Sequence, residues 1–252
     1  MSLIKKPDEI ANVAKAGKIL SATLKKLSAG AKEGVIISSL DEMAREFIEK
    51  SGGAPAFLNY QPEGADHPYP ATICASLNDV IVHGVPTNRK LKNGDIFSID
   101  CGVRYGGYCA DAAITVAIGK TKPEVQKLIK VTREALMLGI KAAKPGNTLG
   151  DIGHAIGSHA KKNKLKVVRG LTGHGIGTHL HEDPSIFNEG TPGKGMKLAV
   201  GMTLALEPMF AIGSANVIQL DDESYATEDG SMSAHFEHTI VITEKGAKIL
   251  TD

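Results

Sequence analysis

The sequence predicts an α+β domain made of two similar halves. Apolar residues recur at steps of three and four between residues 7 and 27, the spacing of one face of an amphipathic helix. Two runs rich in apolar and β-branched residues, 96–103 and 108–117, flank a glycine-containing turn and indicate a β-hairpin. The same order, two helices followed by strands that carry acidic residues, occurs again in the second half of the chain. This repeated order predicts that the two halves of the domain have similar structures.

The first half is predicted to begin with two helices. Pro7 suits the first turn of the helix over residues 7–27. Ser39-Leu40-Asp41-Glu42 has the spacing of a capping box and predicts a second helix, which ends at Gly52-Gly53. Four prolines between residues 54 and 70 predict a long loop. Short strands are expected at residues 71–75 and 80–82, before the hairpin.

The second half is predicted to repeat this arrangement. Thr121-Lys122-Pro123-Glu124 is another capping-box pattern and predicts a helix to about residue 143, because Pro145-Gly146 then interrupts the helical periodicity. Thr148-Leu149-Gly150-Asp151 predicts the start of the next helix in the same way. The clearest strands that follow are residues 202–212 and 235–242.

Composition and charge exclude several classes of protein. The chain has 29 basic and 28 acidic residues, so no strong field favours nucleic acid or an anionic membrane. Three cysteines do not make a disulfide framework and are typical of a reducing compartment. We find no secretory signal and no run of about 18 apolar residues, and we expect a cytoplasmic protein without membrane contact. Dinucleotide-binding, P-loop and nucleophile-elbow motifs are missing as well.

The predicted hairpin carries two aspartates that indicate a metal site. If Tyr105-Gly106 forms a two-residue turn, Asp100 lies directly opposite Asp111. Opposed residues on one face have Cβ atoms roughly 4.5–5.5 Å apart, where like charges repel each other. A turn at Gly106-Gly107 would make the pair diagonal and weaken this argument. A shared proton or a cation would relieve the repulsion; the alternative is that both aspartates face solvent.

Three later segments concentrate side chains that bind metals or protons. Three glycines between residues 173 and 177 exclude a stable helix and place His174 in a loop. His181 follows at an odd spacing, so in an extended chain the two imidazoles face opposite sides and need not share a role. Glu207 and Glu237 each lie in an apolar run, where a carboxylate is costly unless it is paired or binds a metal. Each glutamate alone is more often salt-bridged than metal-bound.

Together these residues predict a centre for two divalent cations. Four carboxylates can neutralise two cations about 3.5–4 Å apart, the spacing of two-metal hydrolytic sites. Oxygen-rich ligation with one imidazole suits manganese, iron(II) or cobalt better than a structural zinc. His83 lies beside Gly84 and is a candidate for a hydrogen bond to substrate; the alternative is a core histidine satisfied by its neighbours. The candidate ligands are Asp100, Asp111, His174, Glu207 and Glu237.

The order and spacing of these residues resemble the type I, or bacterial-type, methionine aminopeptidases. That family has the pita-bread fold, in which two pseudo-symmetric halves have antiparallel sheets covered by helices. The resemblance extends from about residue 4 to residue 250. Its blocks are residues 76–86, 94–100 with Asp111, 173–184, 206–209 and 231–239.

The resemblance implies that residues 1–252 form a single metallopeptidase catalytic domain. The implied activity is removal of the initiator methionine from new chains whose second residue is small, by a hydroxide activated between two divalent ions. Cobalt, manganese, iron(II), zinc and nickel are the candidate metals. Among the five ligands, Asp111 and Glu237 would bridge the ions, and Glu207 would also carry a proton. His83 and His181 would contact the scissile amide and the developing oxyanion.

The resemblance also implies residues around the substrate, a monovalent cation and the partners. The methionine pocket is expected to contain Phe57, Tyr60, Tyr69 and Cys74. A sodium or potassium ion is expected at Asn78, Val80 and Ser233. The expected partners are the N-termini of peptides and nascent chains. The protein is expected to be a monomer. Residues 161–169 hold four lysines and one arginine; such a run is usually a solvated surface, and contact with the ribosome is the alternative.

Several features depart from the family pattern and concern the shape of the pocket. Residues 61–66 resemble an insertion, and Phe57 stands where a smaller residue is common. Glu223 stands where a tryptophan is common, and His235 replaces a common glutamine. We expect Glu223 to turn to solvent and the 61–66 loop to cover the gap. The alternative functions are an Xaa-Pro dipeptidase and a binding module of the same fold that has lost catalysis; the second is disfavoured because all five ligands are present.

Overall fold

The computed structural model describes residues 2–61 and 64–252. The helices in this part of the chain are α1 (Pro7–Gly30), α2 (Ile37–Lys50), α3 (Pro123–Ala142) and α4 (Leu149–Lys162). The strands are β1 (Ala54–Pro55), β2 (Ile73–Leu77), β3 (Val80–Val82), β4 (Ile96–Tyr105), β5 (Tyr108–Ala117), β6 (Lys166–Val167), β7 (Gly173–Gly175), β8 (Glu182–Ile186), β9 (Thr203–Leu206), β10 (Met209–Ala211), β11 (Val217–Gln219), β12 (Tyr225–Thr227), β13 (Ser233–His235), β14 (His238–Thr243) and β15 (Gly246–Ile249). None of the helices in the described ranges is both long and apolar enough to cross a bilayer.

Each half consists of antiparallel strands covered by a helix pair. In the first half, β4 pairs with β5, β2 and β1, and α1 packs against both strands of the hairpin. In the second half, the sheet order is β15-β14-β9-β7-β8, and α3 and α4 share a second apolar core with it. The halves meet where the N–H of Glu237 donates to the carbonyl of Ala113 over 2.9 Å. The predicted α+β class with two similar halves is confirmed.

Two of the four helix starts differ from the sequence prediction. The capping box of Thr148 and Asp151 forms as predicted. α2 instead begins at Ile37, before Ser39, because the first N–H groups of the helix donate to the carbonyls of residues 87 and 89 and need no side-chain cap. α3 begins at Pro123, which has no N–H for a cap to satisfy.

Both strands that carry the candidate glutamates are interrupted at the glutamate. The predicted strand over residues 202–212 divides into β9 and β10 at Glu207-Pro208, and β10 continues in a different sheet. Residues 233–243 divide in the same way into β13 and β14 at Phe236-Glu237. Proline cannot donate to a strand ladder, which explains the first break. Each glutamate therefore lies where the chain leaves one sheet for another.

The hairpin turn is Gly106-Gly107, so the predicted direct opposition of Asp100 and Asp111 is wrong. Tyr105 pairs with Tyr108, and along the ladder Asp100 lies opposite Ala113 while Asp111 lies opposite Gly102. The φ angles of Gly106 and Gly107 are 56° and 84°, a conformation that glycine adopts at little cost and tyrosine does not. The two aspartates are diagonal neighbours, as the alternative turn predicts.

Candidate metal centre and substrate cleft

Five side chains converge where the two halves of the fold meet. Asp100 and Asp111, from β4 and β5, lie with Glu237 so that one oxygen of each falls within 4.8 Å of the others. His174, from β7, forms a second such group with Glu207 and Glu237. The Nε2 atom of His174 lies 3.6 Å from Glu207 Oε1 and 4.0 Å from Glu237 Oε1. Glu237 therefore belongs to both groups, the position that a residue shared by two cations requires.

Hydrogen bonds between the halves hold the backbones at Asp111 and Glu237 in register. The Thr239 hydroxyl accepts the N–H of Asp111 over 2.9 Å and donates to the carbonyl of Asp111 over 2.8 Å. The backbone of Glu237 exchanges hydrogen bonds with Ala113, two residues after Asp111. Because these bonds involve the backbones, the fold sets the relative positions of both carboxylates before any ligand binds.

The chemistry of the donor set fits divalent cations. Asp100 Oδ1, Asp111 Oδ1 and Glu237 Oε1 are buried and form no hydrogen bond with the described residues. Burial raises the pKa of these three carboxyl groups and of Glu207, and repulsion between neighbouring carboxylates raises those of Asp111 and Glu237 further. A buried carboxylate without a partner is costly, and a hard cation removes that cost.

The centre lies at the floor of a cleft with a volume of about 2000 Å³. Its described lining residues include ten carboxylates and neither lysine nor arginine. No permanently cationic side chain among them therefore neutralises the centre. The cleft is also lined by every side chain expected around the substrate, namely Phe57, Tyr60, Tyr69, Cys74, His83 and His181.

His181 lies on the same side of the cleft as His174, although an extended chain would separate them. The chain bends after β7, and the two rings meet edge to face with centroids 4.5 Å apart. His181 Nδ1 lies 3.0 Å from the hydroxyl oxygen of Tyr60. A nitrogen of His181 also falls within 4.8 Å of ligand atoms of Asp111 and His174. Distance alone therefore leaves His181 as an alternative ligand to the five.

His83 and His181 are both neutral at neutral pH. His83 follows β3 with a φ of 61°, and its ring packs edge to face on Tyr225 at 5.8 Å between centroids. Both residues are exposed in the cleft, but the atoms that surround each imidazole displace part of its hydration. This desolvation lowers the pKa of His83 to about 4 and that of His181 to about 3. Each neutral ring can donate one hydrogen bond and accept another.

Phe57, Tyr69 and Cys74 form an apolar wall beside the centre. The rings of Phe57 and Tyr69 meet edge to face with centroids 6.4 Å apart. The Tyr69 hydroxyl lies 2.9 Å and 2.8 Å from the carbonyl oxygens of Ile73 and Gly84, so its polar end is satisfied away from the wall. Cys74 is buried, and burial raises the pKa of its thiol. The wall therefore presents ring and thiol surface without an ionised group.

The residues expected around a monovalent cation also come together. The Ser233 hydroxyl lies 3.2 Å from both the Asn78 and the Val80 carbonyl oxygens. The N–H of Ser233 donates to the same Asn78 carbonyl over 2.8 Å. Backbone carbonyls are the ligands that sodium and potassium use in proteins. The ion itself stays a prediction.

Glu223 is partly exposed, and its carboxylate binds the loop expected to cover the gap. Its side chain is partly buried in the cleft wall, and Oε1 accepts the backbone N–H of Asp66 over 3.0 Å. This bond joins the end of the expected insertion over residues 61–66 to the turn between β11 and β12. Residues 62 and 63 of that insertion lie outside the described residues. Glu223 and the described end of the loop thus form one continuous part of the cleft wall.

Sequence reasoning missed a buried ion pair behind His181. Lys5 Nζ donates to Glu182 Oε2 over 2.6 Å, and both side chains are almost fully buried. Glu182 also accepts the Thr178 hydroxyl over 3.1 Å and the His179 N–H over 3.0 Å. The pair therefore holds the loop that carries His181. Its partners are 177 positions apart in the chain, so no local pattern could indicate it.

Comparison with known proteins identifies the family. The model of "Metallopeptidase family M24" matches residues 9–244. The chain is 44% identical to the methionine aminopeptidase of Clostridium acetobutylicum over 253 residues, which cover 100% of this chain and 99% of that protein. The crystal structure of methionine aminopeptidase from Thermotoga maritima superimposes with a TM-score of 0.94 at 43% identity, covering 99% of this chain and 98% of that one.

A more distant structure shares the fold alone. The Xaa-Pro dipeptidase from Bacillus anthracis has a TM-score of 0.78 at 22% identity, and the match covers 99% of this chain but 62% of that one. The expected pita-bread fold and the expected family are therefore confirmed, and the dipeptidase alternative is not favoured. The chain belongs to metallopeptidase family M24, in which it is similar along its whole length to the methionine aminopeptidases.

Proposed function

We propose that this protein removes the N-terminal methionine from peptides and nascent chains whose second residue is small. The observation that carries the proposal is one cleft with two adjoining features. Its floor holds two ligand groups that share Glu237, and its side is the apolar wall of Phe57, Tyr69 and Cys74. The methionine aminopeptidases that match the full chain support the same function.

The ligand groups suit two divalent cations. Asp100, Asp111 and Glu237 would hold one, and His174, Glu207 and Glu237 the other. Bound cations of this type lower the pKa of water and polarise a carbonyl group. Cobalt, manganese, iron(II), zinc and nickel are the candidates, and both the number of ions and their identity are part of the proposal.

Two neutral imidazoles would act on the scissile amide. If the Tyr60 hydroxyl donates to His181 Nδ1, the ring proton lies on Nε2, from which it can be donated to the substrate. A donor aimed at developing negative charge stabilises the transition state more than the ground state. His83 would form a second hydrogen bond to the amide. Glu207 would carry a proton to the leaving amine.

The apolar wall supports the proposed selection of methionine. Burying a methionine side chain contributes about 1.5–3 kcal/mol. Sulfur against an aromatic ring such as Phe57 or Tyr69 adds about 0.3–1.5 kcal/mol. Norleucine has a methylene in place of the sulfur. It should be accepted, because a difference of one methylene changes binding by only about 1–3 kcal/mol. Leucine, which is branched at Cγ, should be rejected more strongly.

The proposal extends to the rest of the molecule. Residues 1–252 would act as one catalytic domain, as a monomer in the cytoplasm. Asn78, Val80 and Ser233 would hold the monovalent cation. Residues 161–169 would be a solvated surface, with ribosome contact as the alternative to be tested.

A panel of short peptides tests the function. The purified protein, stripped with a chelator and then reloaded with each candidate metal, is assayed on Met-Ala-Ser, Leu-Ala-Ser, Met-Lys-Ser and Ala-Pro. We expect metal-dependent cleavage of Met-Ala-Ser alone. Efficient cleavage of Leu-Ala-Ser or Met-Lys-Ser would show a broader aminopeptidase, and cleavage of Ala-Pro a dipeptidase. A protein that binds metal but cleaves none of the four would be a binding module.

A further inference from the structure

His235 is a buried imidazole that the proposed function does not use. Its side chain is 1% exposed, and neither ring nitrogen has a hydrogen-bond partner among the described residues. Leaving a polar group buried without a partner costs about 1–3 kcal/mol. An apolar side chain of similar size would fill the same space without that cost. The position of the ring therefore requires an explanation.

The backbone of His235 is held from two sides, so its Cα–Cβ bond has a defined direction. The Thr115 hydroxyl accepts the N–H of His235 over 3.0 Å and donates to its carbonyl over 2.6 Å. Thr115 is in turn 2.8 Å from the hydroxyl of Ser98, its cross-strand partner on β4. On the other side, His235 pairs with Met209 between β13 and β10.

This buried chain of contacts joins the elements that carry all four carboxylate ligands. Ser98 lies two residues before Asp100, Thr115 four residues after Asp111, and His235 two residues before Glu237. The ring of His235 then reaches the fourth carboxylate, with Nε2 3.4 Å from Glu207 Oε2. The other oxygen of Glu207, Oε1, faces His174 Nε2 at 3.6 Å. The two oxygens of Glu207 are thus divided between two imidazoles.

The geometry points to His235 as a positioning residue for Glu207, and this inference rests on the proposed role of Glu207 as a metal ligand. His235 Nε2–H donates to Oε2 of the ionised carboxylate and leaves Oε1 on the side of His174 for the metal. The two atoms lie 3.4 Å apart without a hydrogen bond between them, so the proposed donation requires the carboxylate to move closer to the ring. Partners behind a ligand set its orientation, and their loss typically weakens metal binding by about 10–100-fold.

Two amide substitutions that differ by one methylene test the inference. Gln at position 235 places an N–H donor where the imidazole has one, whereas Asn keeps the polarity but falls short of Glu207. Cobalt(II) affinity is measured by titration, together with the visible absorption of the bound cobalt. We expect His235→Asn to lose about 10–100-fold in the affinity of the His174–Glu207 site and to change the cobalt spectrum. His235→Gln should remain within about threefold of the wild type.

His238→Asn is the matched control. His238 lies on the other side of Glu237, and its Nδ1 contacts the Thr251 hydroxyl at 2.8 Å rather than a carboxylate of the centre. The His238→Asn substitution should therefore leave the affinity for cobalt unchanged. Equal affinity in wild type, His235→Gln and His235→Asn overturns the inference, and so does an equal loss in both variants, which would mean that the imidazole only fills space. A wild-type protein that binds no cobalt contradicts the proposed metal centre instead.

A measurement without substitution at His235 covers the case in which His235→Asn does not fold. In the cobalt-free, zinc-loaded protein with ¹⁵N-labelled histidine, a bonded Nε2–H gives a protected proton resonance correlated with its nitrogen. Glu207→Gln should shift this resonance, because a neutral amide oxygen is a weaker acceptor than a carboxylate. A His235 resonance that does not respond to Glu207→Gln overturns the inference.

Discussion

Glu237 contributes its Oε1 atom to the centre of the site, and that atom has no hydrogen-bond partner within the described part of the chain. Asp111 contributes a second oxygen, Oδ1, which also has no hydrogen-bond partner among the described residues. Both residues are fixed through backbone hydrogen bonds that cross between the halves. A change of charge at either residue should therefore act on the ions and leave the fold in place.

We predict that Asp111→Asn and Glu237→Gln each remove most activity on Met-Ala-Ser. Each substitution keeps the size of the side chain but replaces an anionic ligand oxygen by a neutral amide, so the bound ions lose part of their charge balance. Metal content and turnover of the two variants check this prediction. The buried amide also lacks the carboxylate repulsion, so the metal-free variants should unfold no earlier than the wild type. Turnover near the wild-type rate in either variant contradicts the assignment.

His181→Ala and His83→Ala should each lower kcat by about 10²-fold or more, the scale for removing one donor at a developing charge. Both variants should keep two equivalents of metal, because neither residue belongs to the proposed ligand set. The rates and the metal content are measured on the same preparations.

The metal content in that experiment decides between the two neighbouring histidines. His181 lies close enough to Asp111 and His174 to be a ligand. If His181→Ala loses a metal and His174→Ala does not, the roles of the two histidines must be exchanged. Tyr60→Phe is a useful companion, because it removes only the hydroxyl that contacts His181 Nδ1.

At the scale of elements, the β4–β5 hairpin connects the turn, the ligands and the pocket. The turn glycines set the register, and the register places Gly102 opposite Asp111. Gly102 has no side chain to occupy the space above it, and the ring of Phe57 lies there. A Cβ at Gly102 would fall 2.6 Å from a ring carbon of Phe57. The hairpin therefore carries two ligands and also seats one wall of the pocket.

Alanine at two hairpin glycines should have different consequences. Gly107→Ala places a side chain at a φ of 84° with nothing within 4 Å, so only the backbone is strained. It should cost about 1 kcal/mol, or about 2–4 °C in Tm, without a change in kinetics. Gly102→Ala displaces Phe57 and should raise KM for Met-Ala-Ser more than it lowers kcat. Thermal scans and kinetics on both variants check this, and a pocket unaffected by Gly102→Ala contradicts the role of Phe57.

At the scale of the whole molecule, the ligands come from both halves, so bound metal should stabilise the association of the halves. Binding to the folded state alone raises the free energy of unfolding as ligand concentration rises. The metals must also displace any protons on the ligands. Metal binding, folding and pH are therefore linked.

The rise in Tm on adding metal should be larger at about pH 7.5 than at about pH 5.5. Burial raises the pKa of the four carboxyl ligands in the metal-free fold. A raised pKa contributes stability that is present below the ordinary value of about 4 and is lost as the pH rises through the raised value. The contribution of these four carboxyl groups to the stability of the metal-free fold is thus lost toward neutral pH, where the ionised ligands bind metal best.

Thermal scans with chelator and with excess manganese, at both pH values, test this linkage. His83 and His181 titrate in the unfolded chain within this range, but both stay neutral in the fold with or without metal, so their contribution is the same in both scans and cancels from the rise in Tm. A larger metal effect in acid than at neutral pH would contradict the proposed carboxylate ligation.

Local patterns were sufficient for the fold class and for the candidate ligands. Helix and strand periodicities depend on neighbours a few residues apart, so the helix pairs and the hairpin could be predicted directly. Carboxylates in apolar strands are costly without a partner, which made Asp100, Asp111, Glu207 and Glu237 conspicuous in the sequence. The shared order of these residues also indicated the family.

The tertiary structure decided what depends on distant partners. A shift of the turn by one residue changes the whole ladder, so the diagonal placement of Asp100 and Asp111 required the turn geometry. The Lys5–Glu182 pair joins residues 177 positions apart, and Thr115 holds His235 across 120 positions. Such contacts leave no periodicity in the sequence, because each depends on how the two halves pack rather than on the residues beside it.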